Sequence, residues 1–314
     1  MKQIKILSIL TLLFISTISC QNSEKSNLTL LSNQIPVDTP LVFGPGIIST
    51  DYAMEFAITF NPEMNELFFT RRKPKERNKI YTMKLIEDKW TEPEVAFFST
   101  NNNEYGSYEP HINPKGDLLY FGTSRPLNDT IESSGMHQWY LKKNVTGWSQ
   151  PIPLEKPFVD RFIMYITSSE NNNLYFTARE KEDKRGQGGI YYAMREEGQD
   201  VSIKRMGKEI NSGAWIAHSY IAPDESYMIF DGERPSGFGD CDLYISFKEN
   251  GVWTESYNLG SKINTEMCEM TPSVSPDGKY LFFHRGDGKK DSGNIYWVDF
   301  IQIKKELMEN INNN

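Results

Sequence analysis

The chain is poor in the residues that build reactive centres. Its 314 residues hold three cysteines and four scattered histidines, His111, His137, His218 and His284. None falls at zinc-ligand spacing, and an HExxH pair is missing. So are a nucleophile elbow, a phosphate loop and a dinucleotide-binding glycine fingerprint; the run RGQGG at 185–189 reads as a loop between strands. Asp240 and Asp242, either side of Cys241, are read as fixing a turn rather than binding calcium. No metal and no cofactor are expected.

A dense Lys/Arg block is also lacking. With 34 basic and 42 acidic residues the net charge is −8, which argues against a nucleic-acid partner. Long apolar runs are missing too. The stretch Ile6–Ile15, about ten mostly apolar residues, is too short to span a bilayer. It follows MKQIK and precedes Ser-Thr-Ile-Ser-Cys20, the layout of a bacterial export signal. Cys20, directly ahead of the polar QNSEKSN, resembles the cysteine of a lipoprotein signal. The expectation is therefore a signal peptide over 1–19, lipidation at Cys20 and a flexible tether over 20–36. Acyl chains hold such a protein on a membrane, here the bacterial outer membrane, facing the periplasm or the cell surface, with no helix crossing it. Cys241 and Cys268 would then lie in an oxidising compartment, where a disulfide and two buried thiols are both open.

What the chain has in quantity is a repeat. The phrase MTPSVSPDGKYLFFHR, Met270–Arg285, returns in weaker form as AITFNPEMNELFFTR, PHINPKGDLLYFGTSR, MYITSSENNNLYFTAR and SYIAPDESYMIFDGER. Turn anchors at Pro62, Pro114, Ser169, Pro223 and Pro276 are spaced 52, 55, 54 and 53 residues apart, the mark of a repeat architecture. Each unit reads as a strand, a Pro/Asn/Asp/Gly turn, an almost unbroken apolar strand (LFF, LLYF, LYF, MIF, LFF), and a third strand with aromatics (KIYTM, HQWYL, GIYYAM, DLYIS, NIYWV). A fourth strand follows in the Trp-led WTEPEV, WSQPIPL and WTESYNLG; in unit three this place is degenerate (VSIKRM). Continuous apolar strands imply a sheet buried on both faces, and four short strands per unit describe a propeller blade.

The pattern G-x-x-I-x-[S/T] ends two units, at Gly207/Ile210/Ser212 and Gly260/Ile263/Thr265, and occurs once more at Gly44/Ile47/Ser49, 163 residues before the first. The last unit stops after its third strand. The segment around Pro40–Ser49 is thus expected to supply the missing fourth strand and close the ring. The result is an all-β, five-bladed propeller over 37–302 and a polar tail over 303–314; a six-bladed ring would need about 50 further residues.

RPSGFGDCDLY, Arg234–Tyr244, together with SPDGKYLFF, resembles the TolB-type, WD-repeat-like propeller repeat of bacterial envelope lipoproteins. The resemblance covers nearly the whole mature chain, with units four and five matching best and unit three worst. It implies fold and compartment and says little about activity, since one propeller architecture hosts many functions.

Strand alternation, counted back from each anchor, places Glu55, Glu109, His218 and Glu269 on the channel face, with Arg161 and Trp215 just upstream. These six residues are the expected ligand pocket, mixed polar and aromatic. A second recurring feature is an arginine at or just after the end of the second strand: Arg71 or Arg72, Arg125, Arg179, Arg234 and Arg285. Repetition in every unit points to a structural brace, with a carboxylate such as Asp242 or loop carbonyls as partner. The leading expectation is a monomeric envelope lipoprotein whose propeller is a non-catalytic platform for a protein partner or a cell-envelope glycan. The alternative is a glycan-cleaving enzyme in which Glu55, Glu109 and Glu269 supply the acids, because hydrolysis needs two carboxylates roughly 5 to 9.5 Å apart.

Overall fold

The computed structural model describes residues 27–32, 34–99, 104–127, 136–179, 188–194, 201–287 and 292–313. Five antiparallel sheets follow one another along the chain. Blade one is Met54–Phe60, Glu66–Arg72 and Lys79–Ile86, edged by Lys89–Trp90 and Glu94–Val95. Blade two is Ser107–Ile112, Leu118–Thr123 and His137–Asn144, edged by Gly147–Trp148 and Ile152–Pro153. Blade three is Ile163–Ser168, Leu174–Ala178, Gly189–Met194 and Ser202–Arg205. Blade four is Trp215–Ile221, Tyr227–Glu233 and Asp242–Glu249, edged by Val252–Trp253 and Tyr257–Asn258. Blade five is Cys268–Val274, Tyr280–Gly286 and Asn294–Asp299. Its outer strand is Leu41–Val42, from the start of the chain, with Leu41 opposite Trp297 and Val42 opposite Tyr296. The chain is an all-β propeller of five four-stranded blades, closed by its N-terminal strand.

Local chemistry explains three of the five hairpins. The side chain ahead of the turn proline closes the loop: Asn61 Oδ1 accepts from the amides of Asn65 and Glu66, Asn113 Oδ1 from those of Asp117 and Leu118, and Ser275 Oγ from that of Tyr280. Two residues after the anchor proline the chain turns left-handed, at φ 73° for Gly116 and 74° for Gly278, where glycine carries no Cβ penalty. The second strands that follow are buried along almost their whole length, as the continuous apolar runs require.

The inner strands depart from strict alternation. Each carries a register shift, and at the shift one non-glycine residue adopts positive φ: Ala57, Glu109, Tyr165, His218 and Thr271, between 44° and 58°. The extra residue of such a bulge re-aims the side chains around it. Residues before and after it therefore do not share a face, which breaks the counting rule that placed Glu55 and Glu269 beside Glu109 and His218.

Adjacent blades meet at apolar seams, and most seams have a lid. Trp148 of blade two packs edge-on against Phe68 of blade one at 6.4 Å and donates from Nε1 to Glu66 at 3.3 Å. Trp253 of blade four packs on the cluster that contains Tyr175 and Ile190 of blade three, and Trp90 of blade one on that containing Phe282 and Trp297 of blade five. The seam between blades four and five is covered instead by a helix, Phe300–Asn312, capped by Asp299. Its Phe300 and Ile303 are buried against Tyr227 and Phe283, with Leu307 alongside. The segment 303–314, expected as a polar tail, is thus helical up to Asn312. The stretch 20–36 is likewise no free tether throughout: Asn27–Leu30 forms a 3-10 turn, Leu28 and Leu31 are buried in the seam of blades five and one, and Trp90 Nε1 donates to the Asn27 carbonyl at 2.9 Å. The signal segment and Cys20 lie outside the described residues. Among those residues no helix is long and apolar enough to cross a membrane.

Candidate functional site

The recurring arginines are embedded in the blades. Arg71 Nε lies 2.9 Å from Glu55 Oε1, and its Nη2 donates to the carbonyls of Ile47 and Ile48 at 2.7 and 3.0 Å. Arg285 repeats this with Glu269 at 2.8 Å and the Ile263 carbonyl at 2.7 Å. Arg234 donates to the Ile210 carbonyl at 2.9 Å, and Arg125 to that of Phe98. Each guanidinium also lies 4.3 to 5.6 Å from two ring centroids, one on the second strand and one on the third, a stabilising cation–π geometry. In blade three Arg179 stacks on Phe162 instead, at 4.7 Å. The repeat position in blade one is therefore Arg71; Arg72 reaches Met54 Sδ at 3.0 Å. Asp242 is not the arginines' partner: it accepts from the amides of Phe238 and Gly239 and from Asn258 Nδ2 at 2.7 to 3.1 Å, fixing the loop ahead of its own strand.

The Glu55 and Glu269 carboxylates belong to these braces. Both are fully buried. Glu55 accepts from the Thr50 amide and hydroxyl at 3.2 and 2.7 Å, and Glu269 from those of Thr265 at 2.9 and 2.7 Å. Burial pushes the Glu55 pKa up, against the hydrogen bonds and the Arg71 charge.

At the axis stand the five bulge residues. Their amides point to the neighbouring blade, where a side chain at one fixed place on the second strand accepts. Thr70 accepts from Glu109 at 2.9 Å, Thr177 from His218 at 2.8 Å and Asp231 from Thr271 at 3.0 Å. In blade two that place is Gly122, because a Cβ there would come within 2.4 Å of the Tyr108 ring. Glu109 Oε2 then accepts from the Tyr165 amide itself, at 2.8 Å. His284 holds the place in blade five, its Nδ1 donating to the Glu55 carbonyl at 2.8 Å, while Thr271 Oγ1 accepts from Ala57 at 3.4 Å.

Charge gathers in this ring. His218 Nδ1 lies 2.8 and 3.0 Å from the two Asp231 oxygens, and its Nε2 3.8 Å from Glu109 Oε1. Burial disfavours the imidazolium, but Asp231 and Glu109 outweigh it and hold the His218 pKa above its ordinary value. Burial also raises the Glu109 pKa. The Tyr165 ring meets His218 edge-on at 5.2 Å, and its hydroxyl donates to the Pro272 carbonyl at 2.6 Å. Among the described residues, no group of three or more His, Cys, Asp or Glu is placed to hold a metal ion.

Of the six residues expected to form a pocket, the structure brings Glu109 and His218 together. Glu55 and Glu269 are diverted to the braces, and Arg161 and Trp215 are half-buried at their strand entries. Asp231 and Tyr165 were missed. The only signal for Asp231 was a carboxylate interrupting the apolar run MIFD. Cys241 and Cys268 form a disulfide between blades four and five, beside the hydrogen bond from the Glu269 amide to the Cys241 carbonyl at 2.8 Å.

A groove of about 750 Å³ opens between blades two and three. Leu118, Tyr120 and Tyr140 line it from blade two and Leu174, Ala193 and Val201 from blade three, with Leu154 and Phe158 of the connecting segment at one end. It exists because blade three has no lid tryptophan. Trp148 stands opposite Lys143, four residues past Trp139; the same register, continued from Ser202 opposite Met194, puts Val201 in the tryptophan's place.

No family model matches the chain, and no curated protein does. Solved structures share its architecture at low identity. TolB from Acinetobacter baumannii superposes with a TM-score of 0.50 at 15% identity, over 80% of this chain and 53% of that one; this chain thus spans about half the length of that TolB. The α-L-arabinofuranosidase from Lactobacillus brevis gives 0.50 at 11% identity over 81% and 91% of the two chains. The endo-arabinase from Bacteroides thetaiotaomicron gives 0.50 at 12% over 85% and 96%. At these identities the likeness is one of fold: the chain is a β-propeller, as TolB is.

Proposed function

We propose that the chain is an exported envelope lipoprotein, tethered through Cys20, whose propeller is a non-catalytic binding platform for an envelope protein or glycan. One observation carries this reading: all three glutamates expected at the channel have structural work. Glu55 and Glu269 pair with Arg71 and Arg285, and Glu109 supplies the acceptor that Gly122 withholds from the Tyr165 amide. A hydrolytic acid pair needs two carboxyls free to meet the substrate. The open seam between blades two and three adds a concave, aromatic-lined surface of the kind that ligands use.

The test is hydrolysis by the purified mature chain of arabinan, peptidoglycan and envelope polysaccharide, read as new reducing ends. Rates at the no-protein background for the wild type and for Glu109→Gln agree with a platform. Turnover in the wild type that falls at least a hundredfold in Glu109→Gln makes the chain a glycosidase. The anchor is tested separately by palmitate labelling in a bacterial host, expected in the wild type and absent in Cys20→Ser.

A further inference from the structure

We infer that the groove between blades two and three is a docking site for an amphipathic helix of a protein partner, one with an aromatic residue on its apolar stripe and carboxylates on its flank. The inference rests on the platform reading and names its partner. The ring itself supplies the precedent. At the seam of blades four and five the floor includes Tyr227, Ile229 and Ile245, and the lid is a helix that lays Phe300, Ile303 and Leu307 on it. The register makes Leu118, Tyr120 and Tyr140 the counterparts of Tyr227, Ile229 and Ile245. The groove therefore has the floor that a helix covers two blades away, and among the described residues only Leu154 and Phe158 of the connecting segment pack over part of it.

At three of the four closed seams a lysine also stacks on an aromatic ring of the seam. Lys143 lies 4.5 Å from the Trp148 ring and 2.8 Å from Glu66 Oε2. Lys248 lies 5.6 Å from the Trp253 ring and 2.8 Å from Glu225 Oε2. Lys304 lies 5.0 Å from the Tyr227 ring. At the open seam the lysines are already on the receiving side. Lys115 and Lys142 stand on the rim, Lys142 over Tyr140 at 6.0 Å, and neither has an ion pair among the described residues. The lining also holds Lys156, Asp117 and Glu155, for a net charge of +1 in a chain of net charge −8, and this local excess of lysine complements carboxylates flanking an apolar helical stripe.

The probe is a display library of 16-residue amphipathic helices, with and without flanking acidic residues, panned against the mature chain. Three variants read out the site: Val201→Trp, which restores the missing lid, and Tyr140→Ala and Lys142→Glu, with thermal melts to confirm folding. The expected result is selected helices with an aromatic on the stripe and acidic flanks. Their affinity should fall at least tenfold in Val201→Trp and in Tyr140→Ala, and in Lys142→Glu for the acidic helices alone. Absence of selected helices, or affinities unchanged by Val201→Trp and Tyr140→Ala, overturns the assignment. So does a dimer seen in sedimentation that Val201→Trp abolishes, which would make the occupant a second copy, or arabino-oligosaccharide binding lost in Tyr140→Ala, which would make it a glycan. Glycan turnover sinks the platform reading itself, whereas failure of the helix selection alone sinks only this use of the groove.

Discussion

Arg285 Nε sits 2.8 Å from the fully buried Glu269, and Arg71 sits 2.9 Å from the equally buried Glu55. The two pairs have the same 16-residue spacing, in blades five and one, on either side of the ring closure. Each ties an inner strand to a second strand and to the carbonyls of the loop that enters the blade.

Removing one partner of such a pair strands a buried charge. Arg285→Met is expected to cost about 3–5 kcal/mol, and Arg285→Met with Glu269→Met much less, because an apolar pair avoids the desolvation penalty. Urea unfolding of the three proteins checks it. A neutral Arg285→Met would remove the brace from the account.

Closure of the ring places Phe43, which precedes blade one, in the core of blade five. Its ring lies 5.0 Å from Phe282 and 5.2 Å from Trp297, edge-on to both. Phe43→Ala is expected to destabilise the whole domain by about 3–5 kcal/mol, the cost of a core aromatic truncation. Were this segment a loosely attached leader, the melting temperature would not move.

Two axial histidines give opposite pH dependences. Burial holds His284 down to about 4 from 6.5, so its contribution is complete above 6.5 and is lost as pH falls towards 4, about 3 kcal/mol in all. His218 is raised, so its contribution is present below 6.5 and is lost as pH rises through its folded value. His284→Gln should flatten the acid side of a stability–pH curve, and Asp231→Asn, which removes the charge that holds His218 up, the other side. Chemical denaturation from pH 4 to 9 measures both slopes; unchanged slopes in both variants contradict the assignment.

The fold was legible in the sequence because period, turn chemistry and the N-terminal copy of the G-x-x-I pattern are all local in the chain. The axial site was less so. Alternation fails at Ala57, Glu109, Tyr165, His218 and Thr271, whose positive φ has no sequence mark such as glycine; it is imposed by the acceptor on the neighbouring blade. The degenerate fourth strand of unit three was visible, but its consequence depends on what a lid tryptophan does in the other seams, and that is a tertiary relation. Phe300, Ile303 and Leu307 at helical spacing did signal an amphipathic helix, in a segment whose overall polarity hid it.

The Cys241–Cys268 disulfide crosslinks blade four to blade five across 27 residues. Restricting an unfolded loop of that length is worth about 3.5 kcal/mol. The double variant Cys241→Ser with Cys268→Ser is expected to lose about that much in urea unfolding, with the same pattern of far-ultraviolet dichroism. A variant of unchanged stability would show that the bond does not restrain the ring.

The central claim is that the N-terminal strand completes blade five, for the blade count, the seams and the axial ring all follow from it. Val42 and Tyr296 face each other in that pairing, so Val42→Cys with Tyr296→Cys, in a Cys20→Ser background, tests it directly by peptide mapping after mild oxidation. An intramolecular 42–296 disulfide in a folded monomer is the expected result. Free thiols at both positions, or crosslinks only between molecules, would contradict the closed five-bladed ring.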